Sequence, residues 1–396
     1  MRKRTVTPPF PALLAPLLLT VSLCSFAALC VLHRAPMADL LVYRAEGAAA
    51  LRGGDLYGLT VTRWRLPATY PPFAALLFVP AGWLPVPALK AAVLAGNALL
   101  LAGLVALSAR LVARRLPPSL LCTATALALW LEPVFQTFLF GQVNLAVTCL
   151  VLWDLLRPPG ARAKGLVLGL AAGVKVTPAV FVLLLFLRGR KREAATALTG
   201  FAATALLGFL LLPAASTDFW TRRLYETGRV GKAWIVDNQS LQGLVARALH
   251  DPVPGPAWVL PAAAVAVAGV GLAARARRDS HAVLLTAFTA LLVCPISWSH
   301  HWVWCVPLLA VLLAEGRVRT AALVGLVFTA RTMWLVPHSG AQDLQLAWWQ
   351  QPLASPYAIL ALLLPVACGT MISRQNHSNE QTGKTTCSRS FRSARR

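Results

Sequence analysis

The sequence predicts an all-α polytopic membrane protein. Of its 396 residues, 57% are hydrophobic and only 13% are charged, and the mean hydropathy is +0.64. Soluble domains carry about 25% charged residues, so this composition excludes a soluble protein. Apolar runs of about 20 residues, each long enough to cross the hydrocarbon of a bilayer, recur along the chain. The runs are continuous rather than alternating, which excludes an outer-membrane barrel.

The first apolar run, 11–32, follows three basic residues at positions 2–4. It is too long for the core of a signal peptide, and no clear A-x-A cleavage site follows it. We therefore expect a retained first helix whose N-terminus lies inside. The loop that follows, 33–69, is then on the outside.

The outer loop has an Ala-rich middle, from Tyr43 to Leu51, which predicts a short helix lying on the membrane surface. Gly53 and Gly54 end this helix. The stretch Tyr70-Pro71-Pro72 then starts the return into the membrane, because the prolines cannot continue a helix from the loop.

The remaining apolar runs predict the rest of a single membrane domain over 1–372. Basic loops flank the run 165–187 on both sides, although one crossing cannot return the chain to the same face. Either G-V-K-V-T-P, residues 173–178, breaks this run into two half-helices, or one of the loops lies outside. We expect about 10 to 12 crossings. The tail, 373–396, is basic and Ser/Thr-rich, so we expect it to be disordered and cytoplasmic. The runs follow one another at 73–84, 88–108, 118–131, 142–156, 165–187, 193–213, 257–274, 281–297, 318–336 and 355–372.

The net charge of +23 invites a nucleic-acid interpretation, which the placement of the charges disfavours. Lys and Arg cluster in short loops between apolar runs, as at 110–115, 188–192 and 275–278. This pattern is typical of cytoplasmic loops. The eight cysteines show no C-x-x-C spacing, and no Walker, G-x-S-x-G or H-E-x-x-H motif occurs. We therefore expect no metal and no cofactor.

Asp39 is the first candidate functional residue. It lies just past the end of the first apolar run, beside apolar neighbours and close to Tyr43 and Arg44. Partial burial there would raise its pKa toward the range of a general base. An Asp in this position is also a common cap of a following helix. From these residues alone, the two interpretations stand equal.

Lys175 is the second candidate, because it lies inside an apolar run and precedes Thr177-Pro178. A cation within the membrane indicates function, and its natural partner is a phosphate assisted by the backbone amides of a broken helix. The other interpretation is a lysine that extends its ammonium to the interface. We favour the phosphate.

His300 and His301, in W-S-H-H-W at the predicted outer boundary, are the third candidate. They could orient a substrate hydroxyl, transfer a proton or bind metal. Adjacent histidines do not share a helix face, which disfavours a metal site with both as ligands. The neighbouring Trp298, Trp302 and Trp304 are a membrane-interface belt or a platform for a sugar, and the belt is the simpler interpretation for at least two of them.

Several short motifs follow one another between residue 39 and about residue 305. They are D-L-L-V-Y with G-G-D-L-Y, T-Y-P-P-F, W-L-E-P with F-G-Q-V-N, G-V-K-V-T-P-A-V-F, D-N-Q-S-L-Q-G and P-I-S-W-S-H-H-W-V-W. The ordered set resembles the actinobacterial polyprenol-phosphate-mannose-dependent α-(1→2)-mannosyltransferases, which form glycosyltransferase family 87 of the GT-C type, in particular those of lipomannan and lipoarabinomannan. The resemblance covers nearly the whole membrane body. It implies a GT-C-like helix bundle and an inverting transfer.

The resemblance also implies roles for individual residues. An acidic residue in the first outer loop is the base of GT-C enzymes, and it maps onto Asp39. Lys175 would stabilise the leaving phosphate, and His300 would assist at the acceptor. Close relatives often carry a second acid two residues after the base; Leu41 stands there in this chain, which supports Asp39 as the working carboxylate. Many such enzymes need no metal. Six more polar residues of the motifs are expected to bind the donor phosphate or the substrate: Tyr70, Gln142, Asn144, Asn238, Gln239 and His301.

The implied partners are lipid-linked. The donor is polyprenyl-phosphate-mannose, and the acceptor is a phosphatidylinositol mannoside, lipomannan or lipoarabinomannan on the outer face of the plasma membrane. We expect contact with membrane lipids and none with nucleic acid. Two other functions stay open. A transporter or flippase of a lipid-linked sugar would tolerate Asp39→Asn, and a non-catalytic partner of other envelope transferases would tolerate neutral residues at every polar outer position.

Overall fold

The computed structural model describes residues 14–363, and this part of the chain is mostly helical. The predicted tail, 373–396, lies outside the described residues. A two-stranded antiparallel hairpin, β1 (Thr60–Val61) with β2 (Leu66–Pro67), joins the second and third helices. A further helical segment covers 356–363. The α-helices are α1 (Leu14–Leu32), α2 (Ala38–Arg52), α3 (Pro72–Phe78), α4 (Val86–Leu111), α5 (Pro118–Ala128), α6 (Glu132–Phe140), α7 (Asn144–Leu155), α8 (Leu166–Val174), α9 (Val180–Leu187), α10 (Lys191–Leu211), α11 (Pro213–Asp218), α12 (Leu241–Leu249), α13 (Pro256–Arg275), α14 (Asp279–Val293), α15 (Cys305–Ala314), α16 (Val318–Ala330) and α17 (Gln351–Ala354).

Four described helices are long and apolar enough to cross a membrane alone, namely α1, α4, α10 and α13. The α5–α6 pair passes the same criterion together, but it bends by 77°. Several other apolar helices within 14–363 are shorter, at 10–17 residues. The predicted class, an all-α polytopic membrane protein, is confirmed. The predicted 10 to 12 crossings stay a prediction, because many apolar runs are divided into pieces shorter than a span.

The run 165–187 is broken, as one of the two sequence alternatives required. The α8 helix ends at Val174, and Lys175 has extended backbone angles, φ −144° and ψ 124°. A 3₁₀ turn, Thr177–Ala179, then leads into α9. Close packing on α10 fixes the position of this break. A Cβ atom at Gly169 would lie 2.1 Å from the Ala197 carbonyl oxygen, so only glycine permits this approach of the two helices.

The loop after α1 carries the predicted helix, α2, with two differences. It begins at Ala38 rather than Tyr43, after Met37 in a left-handed conformation with φ 47°. One face of α2 is buried, since it packs against α3 and the 3₁₀ turn Val79–Gly82. Its end at Gly53, with φ 66°, and the start of α3 at Pro72 agree with the sequence prediction.

The turn from Pro295 into α15 is a 3₁₀ helix, Ser299–Trp304, whose backbone departs from helical angles at Trp302. It packs against α6, α7 and α14. The Trp302 side chain is fully buried and lies against Phe288 and Tyr357, which makes it core rather than part of an interface belt. This packing places the two histidines beside the start of α7 and the break before α9.

Candidate active site

Asp39 lies in the first turn of α2, one residue after its start. The residue in the N-cap position is Met37, and no side chain caps this end of the helix. The Oδ2 atom of Asp39 instead accepts a hydrogen bond of 2.7 Å from Nε2 of Gln142. Its Oδ1 atom has no hydrogen-bond partner among the described residues. One carboxylate oxygen of Asp39 is therefore hydrogen-bonded, and the other can accept a proton from a substrate. This arrangement favours a role as general base over a role as helix cap.

Gln142 is positioned by the turn between α6 and α7. The α6 helix ends at Gly141, which has φ 70°, a conformation that glycine adopts without strain. A Cβ atom at Gly141 would lie 2.8 Å from the Leu40 Cβ, so the turn also approaches α2 closely. The amide oxygen of Gln142 accepts hydrogen bonds from the hydroxyls of Tyr43 (2.7 Å) and Tyr70 (3.1 Å). Two phenols on the oxygen direct the amide nitrogen toward the carboxylate.

The two tyrosines form the floor of the site. Their hydroxyl oxygens are 3.0 Å apart, and both side chains are buried. The Tyr43 ring stacks on Phe78, with ring centroids 4.5 Å apart, and meets the Tyr70 ring edge-to-face. The predicted substrate residue Tyr70 therefore holds Gln142, and its ring also faces Lys175, whose Nζ lies 5.6 Å from the ring centroid.

Lys175 lies at the break between α8 and α9, opposite the same turn. Its Nζ donates a 2.7 Å hydrogen bond to Oδ1 of Asn144. Asn144 in turn donates from Nδ2 to the backbone oxygen of His300 at 2.9 Å. An ammonium group has three donors, and one is used here, so the other two are available to an anion.

A narrow crevice with a cavity volume of about 50 Å³ lies beside Lys175. Its polar lining includes Asn144, Lys175, Ser297 and His301, and its walls include the rings of Phe181 and Trp304. A cationic end with apolar walls suits a phosphate that carries a hydrocarbon chain.

His300 is buried at 3% exposure, and neither ring nitrogen has a hydrogen-bond partner among the described residues. Its ring lies between Phe140 and His301, with centroid distances of 5.5 Å and 4.8 Å. Its backbone oxygen holds Asn144 and Thr137. The crevice is thus lined by His301, while His300 lies behind it. The predicted acceptor-side role of His300 stays a prediction.

Burial and the neighbouring charges set the pKa of the Asp39 carboxyl. Burial raises the pKa of Asp39 to about 6, although the hydrogen bond from Gln142 and the charge of Lys175 lower it. The negative charge of Asp237 adds to the rise. A carboxylate with this pKa is mostly ionised at neutral pH and is a stronger base than an ordinary aspartate. Both properties are needed to remove a proton from a sugar hydroxyl.

Two more carboxylates belong to the site and were not predicted. Glu46 follows Asp39 by two helical turns on α2 and is 1% exposed; burial raises its pKa to about 8. Its Oε1 atom accepts a 3.3 Å hydrogen bond from the backbone nitrogen of Thr69. Asp237 accepts a 3.1 Å hydrogen bond from the backbone nitrogen of Ser299. The spacing 39, 43, 46 along one helix face was the signal available for Glu46.

Asn238 and Gln239, predicted to bind substrate, have their side chains engaged within the protein. Asn238 donates to the backbone oxygens of Ala233 and Pro295 and accepts from the nitrogens of Ser240 and Ser297. The Gln239 amide is satisfied in the same way by backbone groups, including the nitrogen of Tyr357. These bonds hold the loop that carries Asp237, and direct contact with a substrate stays a prediction. No group of three His, Cys, Asp or Glu residues within 14–363 is arranged to hold a metal ion.

Comparison with known proteins decides the family. The sequence profile of glycosyltransferase family 87 matches residues 68–297 of this chain. The chain belongs to this family. It is therefore a multi-pass membrane glycosyltransferase, as the motifs predicted. Three of the four residues that converge on the site lie within the matched region, namely Gln142, Asn144 and Lys175.

Three curated relatives extend the match over most of the chain. The polyprenol-phosphate-mannose-dependent alpha-(1-2)-phosphatidylinositol mannoside mannosyltransferase of Mycobacterium tuberculosis is 35% identical over 365 residues, covering 85% of each chain. Its counterpart in Mycolicibacterium smegmatis is 32% identical over 386 residues, covering 86% of each. A phosphatidylinositol pentamannoside mannosyltransferase of the same type from M. smegmatis is 36% identical over 347 residues, covering 82% of each. No solved structure matches the chain.

Proposed function

We propose that this glycosyltransferase transfers mannose from polyprenyl-phosphate-mannose to the 2-hydroxyl of a mannoside acceptor, with inversion, on the outer face of the plasma membrane. One observation carries the proposal. Two amides of a single turn, Gln142 and Asn144, hold a carboxylate and an ammonium, Asp39 and Lys175, each at 2.7 Å. A displacement at a sugar phosphate needs this pair, namely a base at the acceptor and a cation at the leaving group.

The reaction follows from the two charges. Asp39 takes the proton of the acceptor 2-hydroxyl while that oxygen forms a bond to the anomeric carbon of the β-linked donor. The bond from that carbon to the phosphate oxygen breaks on the opposite face, and its electron pair stays on the polyprenyl phosphate. The two available N–H donors of Lys175 stabilise the phosphate charge that develops. Attack from the face opposite the β-phosphate gives the α-linkage.

The crevice beside Lys175 supports the placement of the donor. Its cationic lining meets a phosphate, and the rings of Phe181 and Trp304 offer apolar surface to the first isoprene units. His301 lines the same crevice, so we place it at the donor sugar or phosphate. His300 is proposed to act at the acceptor from behind His301, and its test is the comparison of His300→Gln with His301→Gln.

The names of the relatives favour phosphatidylinositol mannosides as acceptors, with lipomannan and lipoarabinomannan as the larger members of the same chemical class. The outward orientation rests on the basic N-terminus, since three basic residues at 2–4 precede the first membrane helix and Asp39 follows it.

The test uses purified protein in nanodiscs with polyprenyl-phosphate-mannose and a short α-1,6-linked mannoside. Wild type should form an α-1,2-linked product, and Asp39→Asn should lower kcat by at least about 100-fold, the usual contribution of a general base. The matched control is Asp55→Asn, because Asp55 is an exposed carboxylate of the same outer loop that only caps its own turn. Equal rates for Asp39→Asn and wild type would refute the base. Donor movement across the bilayer without product would favour the flippase.

A further inference from the structure

A second cavity lies beside α6, and it shares no lining residue with the crevice at Lys175. It is an open groove bordered by the end of α1, the α5–α6 bend and the end of α16, and its cavity volume is about 520 Å³. Ligand sites commonly measure ~300–1,000 Å³. Its walls are apolar and aromatic, with Phe26, Leu29, Trp130, Phe135 and Leu139 among the lining residues. We refer to it as the α1/α16 groove.

Two polar side chains of the α1/α16 groove lie just past helix ends, His33 after α1 and Arg331 after α16. The Trp130 indole nitrogen is already bonded to Ser22, and the Thr329 hydroxyl to Gly325. This leaves the side chains of His33 and Arg331. No carboxylate lines the groove, and the Arg331 guanidinium forms no hydrogen bond or ion pair with another described residue. The groove therefore presents donors and positive charge to whatever occupies it.

Arg331 is held in place although its guanidinium donors are unused. It has φ 53° and ψ 36°, a left-handed conformation that is uncommon for a residue other than glycine. This turn lays the guanidinium on the Phe135 ring, with its central carbon 3.9 Å from the ring centroid. The next residues are anchored, since Thr332 donates to the Leu353 backbone oxygen and Trp334 to Glu132. The site is thus built before any ligand arrives.

We propose that the α1/α16 groove binds the lipid end of the acceptor, a glycerophospholipid whose phosphodiester meets Arg331 and His33 and whose acyl chains lie along the aromatic wall. The inference rests on the proposed function, because it assigns a site to that acceptor. Planar guanidinium groups recognise phosphate through paired hydrogen bonds. The groove lining carries positive charge and no carboxylate, so an anionic lipid headgroup fits it better than a neutral one.

The geometry connects the groove to the catalytic turn. Phe135 and Gln142 are seven residues apart, which is about 10 Å along a helix. His33, which lines the groove, precedes Asp39 by only six residues. The lining of the groove and the candidate base are therefore joined by a short stretch of chain. A phospholipid anchored at Arg331 extends its headgroup sugars along α6 toward the base.

Direct binding is the first test, since it needs no turnover. Delipidated protein is loaded with phosphatidylinositol or phosphatidylcholine, and retained lipid is counted by native mass spectrometry. Wild type should retain phosphatidylinositol in preference, and Arg331→Gln should weaken its retention about tenfold, the loss expected for one charge-assisted contact. Arg331→Lys should recover part of it. The matched control is Arg319→Gln, an exposed arginine on the same helix.

Turnover provides the second readout. Arg331→Gln should raise the ratio of the KM for a phosphatidylinositol mannoside to the KM for a water-soluble dimannoside about tenfold relative to Arg319→Gln. Equal retention by the two variants, or equal retention of both lipids by wild type, would overturn the site. Displacement of phosphatidylinositol by polyprenyl phosphate would assign the groove to the donor instead. If wild type transfers mannose to neither acceptor, the proposed function fails while the binding result stands separately.

Discussion

Replacing Gln142 with methionine tests whether Asp39 is the base, because it changes the basicity of Asp39 without touching the carboxylate. Gln142 donates a 2.7 Å hydrogen bond to Asp39, and methionine has similar length but no donor. The fold should survive, since the Tyr43 and Tyr70 hydroxyls keep each other as partners at 3.0 Å. The hydrogen bond stabilises the ionised carboxylate, so its loss must raise the pKa of Asp39.

The size of the shift follows from the contact. A hydrogen bond to a charged group contributes about 1.5–3 kcal/mol, and one pKa unit corresponds to about 1.4 kcal/mol. The pKa of Asp39, about 6 in the native protein, should therefore rise by about one to two units. At pH 7 the ionised fraction falls from about nine-tenths to between about one-half and one-tenth. The rate should fall about two- to tenfold and should recover above pH 9.

The assay is the pH dependence of kcat/KM for mannose transfer to the short α-1,6-linked mannoside. In Gln142→Met, the fall of kcat/KM on the acidic side of this profile (the acid limb) should shift to higher pH. Asp237→Asn supplies the opposite control, because its negative charge raises the pKa of Asp39 and its removal must move the limb downward. The asparagine oxygen can still accept from Ser299. A loss of activity in Gln142→Met that is the same at every pH, or limbs that move together in both variants, would refute Asp39 as the titrating base.

Three other substitutions test the rest of the site. Lys175→Gln should lower kcat by at least about 100-fold with a smaller change in donor affinity, measured by single-turnover kinetics; loss confined to affinity would leave Lys175 a binding residue only. Gly141→Ala should destabilise the protein by at least about 1–2 kcal/mol, the cost of its left-handed φ, because the added Cβ would also lie 2.8 Å from the Leu40 Cβ; an unchanged melting temperature in thermal unfolding would contradict the strained turn. Burial raises the pKa of Glu46 from 4.5 to about 8, so folding keeps a proton that the unfolded chain releases, and stability falls as pH rises across that window. Glu46→Gln should flatten this fall in melting curves from pH 4.5 to 8.5, and an unchanged slope would count against a buried neutral Glu46.

Local patterns predicted much of the architecture. The position of Asp39 after an apolar run, the G-V-K-V-T-P break at Lys175 and the Tyr70-Pro71-Pro72 re-entry are each readable within a few residues, since glycine and proline act on their own backbone. The polar residues of F-G-Q-V-N were also recognisable as unusual in a membrane helix.

The bond partners were not readable, because they join distant parts of the chain. Gln142 meets a carboxylate 103 residues earlier, and Tyr357 bonds Glu132 across 225 residues. Nothing in the local sequence distinguishes the amide of Gln142, which bonds Asp39, from that of Gln239, whose hydrogen bonds are all to backbone groups. The sharp α5–α6 bend was missed for the same reason, since Glu132-Pro133 is a common helix start whose burial depends on partners far along the chain.

The turn between α6 and α7 sets the distance between the two charges of the site. Each of Gln142 and Asn144 bonds a charged side chain through one amide atom, Asp39 and Lys175 respectively. The other amide atom bonds the surrounding protein, the tyrosine pair for Gln142 and the His300 backbone oxygen for Asn144. Neither amide has a spare atom with which to follow a substrate. The groups left open are one oxygen of Asp39 and two donors of Lys175, which are the groups that a hydroxyl and a phosphate require. The turn thus holds a carboxylate and an ammonium group at a fixed separation, and both keep free hydrogen-bonding positions. This suits a reaction in which the proton and the leaving group depart in opposite directions.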